Sequence, residues 1–199
     1  MRYDSGFAPN PFYGYCTLAT CKPDIRKTAQ VGDWLVGCAS ASRQVRRGGR
    51  LVYAMRVSET LCFGAYWGDP RFQRKKPIRN GSFKQSCGDN IYFRESAGNW
   101  GQLDSFHSQA DGSPNPKHIA RDTGTDRVLV GTEYYYCGGH GPLLPTHLRN
   151  FQGVDICHNG RGRSAIDNQE LIVAFAAWCR SFDGAGYLAA PWDWGGASG

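Results

Sequence analysis

The segment RLVYAMRVSETL, residues 50–61, decides how this chain is read. Leu51, Tyr53, Met55 and Val57 alternate with Val52, Ala54, Arg56 and Ser58, the period-two pattern of a strand. Upstream, DWLVGCAS (33–40) is a second strand, opened by a Gly32-Asp33 turn. The Gly-rich segment SRQVRRGGR (42–50) joins the two, so they predict a hairpin. Downstream, NIYFRE (90–95) and DRVLVGTEYYYCG (126–138) predict further strands, and residues 64–90 read as a basic loop. DNQELIVAFAAWCRSF (167–182) predicts a helix, with Asp167 as N-cap and Gly184 as stop.

With 26 glycines and 10 prolines, turns and short strands are favoured over long helices. The expected fold is α+β, mainly β: about five to seven strands in a small, partly open barrel with long loops and a C-terminal helix. The longest apolar run, LIVAFAAW (171–178), is too short to span a bilayer. The opening MRYDSGFAPNP lacks the apolar core of a signal peptide. A cytoplasmic, non-membrane protein is expected, its eight cysteines reduced. No C-x-x-C pair, P-loop, dinucleotide fingerprint or H-E-x-x-H is present, so neither metal nor cofactor is expected.

The formal charge of +6 permits an anionic partner. Basic residues cluster at Arg43, Arg46, Arg47 and Arg50, at Arg71, Arg74, Lys75, Lys76 and Arg79, and at Arg149, His158, Arg161 and Arg163. In the second cluster Tyr66, Trp67 and Phe72 interleave with the charges, as in nucleic-acid grooves. Arg71, Lys75 and Lys76 are its phosphate-contact candidates; a solvated surface is the alternative.

Four segments could carry chemistry. In NPFYGYCTLATCKPDIRK (10–27), Cys21 beside Lys22 is either a nucleophile or a buried small residue. In GDNIY (88–92), Asp89 and Asn90, followed by Tyr92, can read a base edge or form an ordinary turn. In DSFHS (104–108), Ser105 and His107 share one face of an extended chain, and His107 can serve as general acid, general base or base-contacting donor. In YYYCGGHGP (134–142), the tyrosines either stack on bases or pack the core.

Taken in order, GFAPNPFYGYCTLATCKPDIRKTAQVGDWLVG (6–37), LVYAMRV (51–57), AYWGDPRFQRKKP (65–77), GDNIY, DSFHS and VLVGTEYYYCGGHGP (128–142) resemble the second type of nucleotide modification associated domain. The resemblance covers residues 3–145 and implies a domain over 1–145, with 146–199 a helical extension packed on it. It implies a place in phage or bacterial systems of DNA modification, defence or counter-defence. The GDW-strand-loop-VYAMRV arrangement is also similar to PUA-like barrels of the EVE and YTH groups, which hold a base in a pocket. That similarity implies a polar-aromatic pocket bordered by Asn10, Phe12, Tyr13, Cys21, Lys22, Trp34 and Tyr53. Asp89, Asn90, Tyr92, Ser105 and His107 would complete it, and Arg71, Lys75 and Lys76 would hold phosphate. The leading expectation is binding of a nucleotide or nucleic-acid base, with DNA as partner. An enzyme using Cys21, or His107 with Asp89, is the alternative, and a protein-interaction module is a third.

Overall fold

The computed structural model describes residues 1, 3–42, 46–157 and 162–196. Arg43 of the first basic cluster, and His158 and Arg161 of the third, lie outside the described residues. The elements in chain order are β1 (Cys16–Leu18), α1 (Pro23–Thr28), β2 (Trp34–Cys38), β3 (Leu51–Arg56), β4 (Glu59–Leu61), α2 (Phe63–Gly68), α3 (Phe83–Ser86), β5 (Tyr92–Arg94), β6 (Trp100–Gln102), α4 (Pro116–Thr123), β7 (Val128–Gly131), β8 (Glu133–Tyr136), α5 (Thr146–Arg149), α6 (Gln169–Arg180) and β9 (Gly186–Tyr187). Helix makes up 28% and strand 20%, so the mixed α+β class holds while strand does not dominate. The strands form separate sheets ordered β2-β3-β8-β9, β1-β7-β4 and β5-β6, which are not closed into a barrel. Strands this short leave no continuous ladder to close.

Two units can be distinguished. The first contains residues 1–4, 34–56 and 133 onward. Here the predicted hairpin is present: β2 and β3 pair antiparallel, Trp34 opposite Arg56. β8 adds to β3 with Tyr53 opposite Tyr136, and β9 runs parallel to β8. The C-terminal helix α6 buries Leu171, Phe175 and Cys179 against Leu51, Ala54 and Tyr135. Its cap is Asn168 rather than Asp167: the Asn168 side-chain oxygen accepts from Leu171 N at 3.0 Å.

The second unit contains residues 5–33 and 57–132. Its core gathers Phe63, Tyr66, Phe72, Ile91, Tyr92, Val128 and Val130. The run 126–138, expected as one strand, divides into β7 and β8, which belong to different sheets. The break falls at Thr132, whose N–H goes to the Ser58 hydroxyl (3.2 Å) instead of a ladder carbonyl.

The segment expected as a basic loop holds α2, a 3-10 turn (Pro70–Lys75) and α3. The Asp69 carboxylate accepts from Arg71 N, and Ser82 and Gln85 form a capping box on α3. Pro at the first helical position and Asn115 at the N-cap, accepting from Lys117 N and His118 N, start α4.

One buried cation organises this unit. Arg26 on α1 is fully buried, and its guanidinium donates to Cys21 O (3.0 Å), Asp122 O (2.5 Å), Thr125 O (2.9 Å) and Arg127 O (2.7 Å). It ties α1 to the end of α4 and the approach to β7. Arg26→Met would leave four carbonyls without this donor. We expect it to lower unfolding free energy by about 3 kcal/mol, measured by urea titration.

Candidate functional site

Cys21 sits in the turn between β1 and α1, with φ +57°, and Lys22 follows with φ +43°. Two successive non-glycine residues in the left-handed region are a costly arrangement that surrounding contacts must hold. The contacts are specific: Cys21 O accepts from Arg26, and Cys21 N donates to the Asp122 carboxylate at 3.1 Å. The turn leaves the Cys21 side chain half-buried while Lys22 is exposed.

His107 reaches the same place from the loop after β6. Its N–H donates to Ser105 Oγ (3.2 Å), Ser108 Oγ accepts from Ser105 N (2.9 Å), and its carbonyl accepts from His118 Nδ1 (2.9 Å). Phe7 meets the imidazole edge-on, with ring centroids 4.7 Å apart. Nε2 lies 3.3 Å from Cys21 Sγ, and Nδ1 lies 2.9 Å from Asp122 Oδ2. The carboxylate accepts a hydrogen bond from Nδ1–H, which leaves Nε2 to accept from the thiol.

Asp122 on α4 is fully buried. Besides His107 and Cys21 N, it accepts from Tyr92 OH (2.9 Å) and Arg121 Nε (2.8 Å). Burial alone would raise its pKa, but the His107 and Arg121 hydrogen bonds outweigh that and hold it well below the ordinary 3.8. Burial lowers the His107 pKa, and its bonds to Asp122 and Cys21 reverse this, leaving it above 6.5. Arg121 closes the solvent side, its Nη2 lying 3.4 Å from each His107 ring nitrogen and 4.0 Å from Cys21 Sγ.

Thiol, imidazole and carboxylate thus stand in line, with a guanidinium beside the sulfur. This arrangement can pass a proton from sulfur to Nε2, keep the imidazolium aligned, and offer positive charge to a developing anion.

The model of the family described as nucleotide modification associated domain 2 matches residues 1–198. The chain belongs to that family. No curated protein and no solved structure gives a match. Membership associates the chain with nucleotide or DNA modification systems. Among the described residues, no helix is long and apolar enough to cross a membrane.

Within this nucleotide modification associated domain, the expected site residues separate into groups. Cys21 and His107 stand together, with Tyr92 and Ser105 in contact with His107. The group against the sulfur is His107, not Lys22. Asp89 does not join His107: it is fully buried, accepting from Thr17 Oγ1 (2.8 Å) and Tyr66 OH (2.7 Å). Burial raises its pKa, against the opposing pull of Lys75, Tyr66 and Thr17.

Lys75 is not available to phosphate, because it too is fully buried. Its ammonium donates to Asn10 O (3.0 Å), Asn10 Oδ1 (2.6 Å) and Tyr15 O (2.9 Å), which uses all three of its protons. Burial lowers its pKa to about 8. Arg71 is engaged by Glu59 and Asp69, and Lys76 lies 3.7 Å over the Trp67 ring.

Asn10, Asn90 and Phe12 are buried. Asn10 Nδ2 donates to Gly6 O and Cys87 O, and Asn90 Nδ2 to Tyr66 O and Phe72 O, so these amides brace backbone. Tyr13 is half-buried under Arg74, with 4.4 Å from guanidinium to ring. Trp34 and Tyr53 belong to the first unit, where Trp34 packs on Tyr135 and Phe175 and Tyr53 is buried in β3. Gly88 is needed because a Cβ there would stand 2.2 Å from Lys75 O.

Asp122, Arg121 and His118 are not among the residues that the sequence motifs single out, because α4 carries no apolar periodicity to mark it as a helix. The Asn115-Pro116 start was the available signal; with it, His118 and Asp122 fall four apart on one helix face.

Removal of the carboxylate gives a direct check. Asp122→Asn should lower the His107 pKa, read from the imidazole NMR titration. The stabilisation linked to His107 is full below pH 6.5 and lost as pH rises through its raised folded value. That linked to Asp122 is present above pH 3.8 and lost as pH falls through its depressed folded value. The variant should therefore shed both dependences in its stability profile.

Proposed function

We propose that this nucleotide modification associated domain is a thiol-dependent group-transfer enzyme acting on a nucleotide or nucleic-acid base. One observation carries the reading: Cys21 Sγ, His107 and the buried Asp122 are linked in sequence by contacts of 3.3 and 2.9 Å. A merely structural cysteine needs no imidazole oriented by a buried carboxylate. The left-handed turn at Cys21 supports the same reading, because strain of this kind concentrates at functional positions.

The chemistry follows from the placement. Cys21 gives its proton to His107 Nε2 as the sulfur bonds to an electrophilic carbon of the substrate. His107 then protonates the departing group as its bond to that carbon breaks. In the second half a nucleophile, water or an amine, gives its proton to His107 and takes the carbon from sulfur, which recovers its proton. Arg121 stabilises anionic charge beside the sulfur, and Asp122 and Tyr92 are positioning residues. Family membership supports the nucleotide as substrate, and the expected setting is a phage or bacterial modification, defence or counter-defence system. In the binding-only reading, the same side chains would hold a base without forming a bond to it.

Exposed Cys62 provides an internal control for the test. At pH 7, iodoacetamide should modify Cys21 at least about tenfold faster than Cys62, read by peptide mass spectrometry. His107→Gln should abolish the difference. Equal rates in the wild-type chain would eliminate Cys21 as nucleophile. Incubation with nucleotides and oligonucleotides should then give turnover that Cys21→Ala lacks; binding without turnover would favour the binding-only reading.

A further inference from the structure

The residues from Pro70 to Gly88 contain six of the basic side chains and no aspartate or glutamate, a local charge equal to the net +6 of the whole chain. Lys75 is buried; Arg71, Arg74, Arg79 and Lys84 are exposed and Lys76 half-exposed. Five of these cations sit over aromatic rings: Lys76 over Trp67, and four over rings of the stretches that lead to the thiol and the imidazole. Arg71 lies 5.8 Å from the Tyr15 ring, Arg74 4.4 Å from Tyr13, Lys84 6.0 Å from Phe12 and Arg79 4.8 Å from Phe106. Phe12, Tyr13 and Tyr15 come from the segment that leads through β1 to Cys21, and Phe106 immediately precedes His107. The cations are therefore arrayed along the two stretches that carry the thiol and the imidazole. Their charged heads are exposed beside aromatic rings, an interleaving that suits phosphate oxygens and neighbouring bases.

At the His107 end lies an open groove of about 390 Å³, lined by Arg79, Ser105, Phe106, Ser108, Gln109 and Asp111. Phe106 is 46% exposed, although Phe7 packs on its edge at 5.7 Å. A half-bare ring in a groove of hydroxyl, amide and carboxylate groups suits the face and edge of a base. Asp104 and Asp111 make the groove itself a poor phosphate site; Arg79 pairs with Asp104 at 3.6 Å, an exposed and therefore weak pair from which the guanidinium can turn to a phosphate outside the groove.

We infer that the substrate of the Cys21 site is a single-stranded polynucleotide rather than a free nucleotide, with its phosphates along Arg74, Arg79 and Lys84 and a base stacked on Phe106. This rests on the proposed function only for the chemistry; the binding is tested separately.

The probe is a fluorescein-labelled 12-residue oligothymidylate, titrated with the full chain by anisotropy at graded NaCl. Binding should weaken with salt, and Arg74→Gln/Arg79→Gln/Lys84→Gln should lower the log–log slope by about 2, near 0.7 per lost phosphate contact. Gln retains some stem over each ring, and thermal melting shows that the variant is folded. Phe106→Ala should weaken the oligothymidylate at least about fivefold while sparing an abasic 12-mer. An unchanged slope in the triple variant would overturn the inference. So would equal competition, per phosphate or carboxylate, by thymidine monophosphate, which indicates a free-nucleotide site, or by polyglutamate, which indicates an acidic protein partner. Equal loss of both 12-mers in Phe106→Ala would remove the base contact. Iodoacetamide modification of Cys21 should be as fast in the triple variant as in the wild type. In the wild-type chain, no oligonucleotide binding with fast Cys21 modification refutes this inference alone; oligonucleotide binding with slow modification refutes the thiol chemistry alone.

Discussion

The buried carboxylate of Asp122 is the constraint on which the candidate site depends. An ionised group with no exposure must be surrounded by donors, and here they converge from four segments: Cys21 N, the His107 imidazole, Tyr92 OH and Arg121 Nε. The backbone of Asp122 is held as well, its carbonyl accepting from Arg26. Any arrangement that satisfied the carboxylate less completely would leave a buried charge uncompensated. The need to solvate one anion thus brings thiol and imidazole to hydrogen-bonding distance.

A second buried set, Lys75, Asn10, Asp89, Thr17 and Tyr66, works in parallel without sharing members. It fixes the segment 10–17 to the segment 66–90 through hydrogen bonds that span 49 to 72 positions in sequence. The outcome is a division of labour between two polar clusters: one places the cationic segment beside the segment that leads to the thiol, the other aligns the thiol. The charged residues of the second set were legible in the sequence as ligand contacts, and burial gives them another role. Lys75 and Asp89 hold the fold together, while Arg74 and Lys84 remain exposed.

Much of the fold could be read because it rests on local pattern. The alternation in 51–58 specifies a strand, and the β2–β3 hairpin follows from the turn before it and the glycines between. The apolar run 171–178 needs a core and finds one as α6. Short helices were less legible. The six-residue α1 and four-residue α3 have too few turns for a periodic signal, and α4 was obscured by the polar loop ahead of it. The split of 126–138 was invisible because Val128–Val130 and Tyr134–Tyr136 have equally strong strand character; only their different partners separate them.

The sequence alone determined the class of structure and the basic segment, and it marked Cys21 and His107 as side chains able to do chemistry, because residue type and short-range pattern are local properties. It was also sufficient for the family resemblance, which the match over 1–198 upholds. Tertiary structure decided everything that depends on burial and distance: that Asp122 rather than Asp89 orients the imidazole, that Lys75 is spent on backbone carbonyls, and that Cys21 faces Nε2. The reason is physical. A carboxylate, an ammonium and a thiol have the same formula in a core, a turn or a site, and only the dielectric and the donors around them decide what each does.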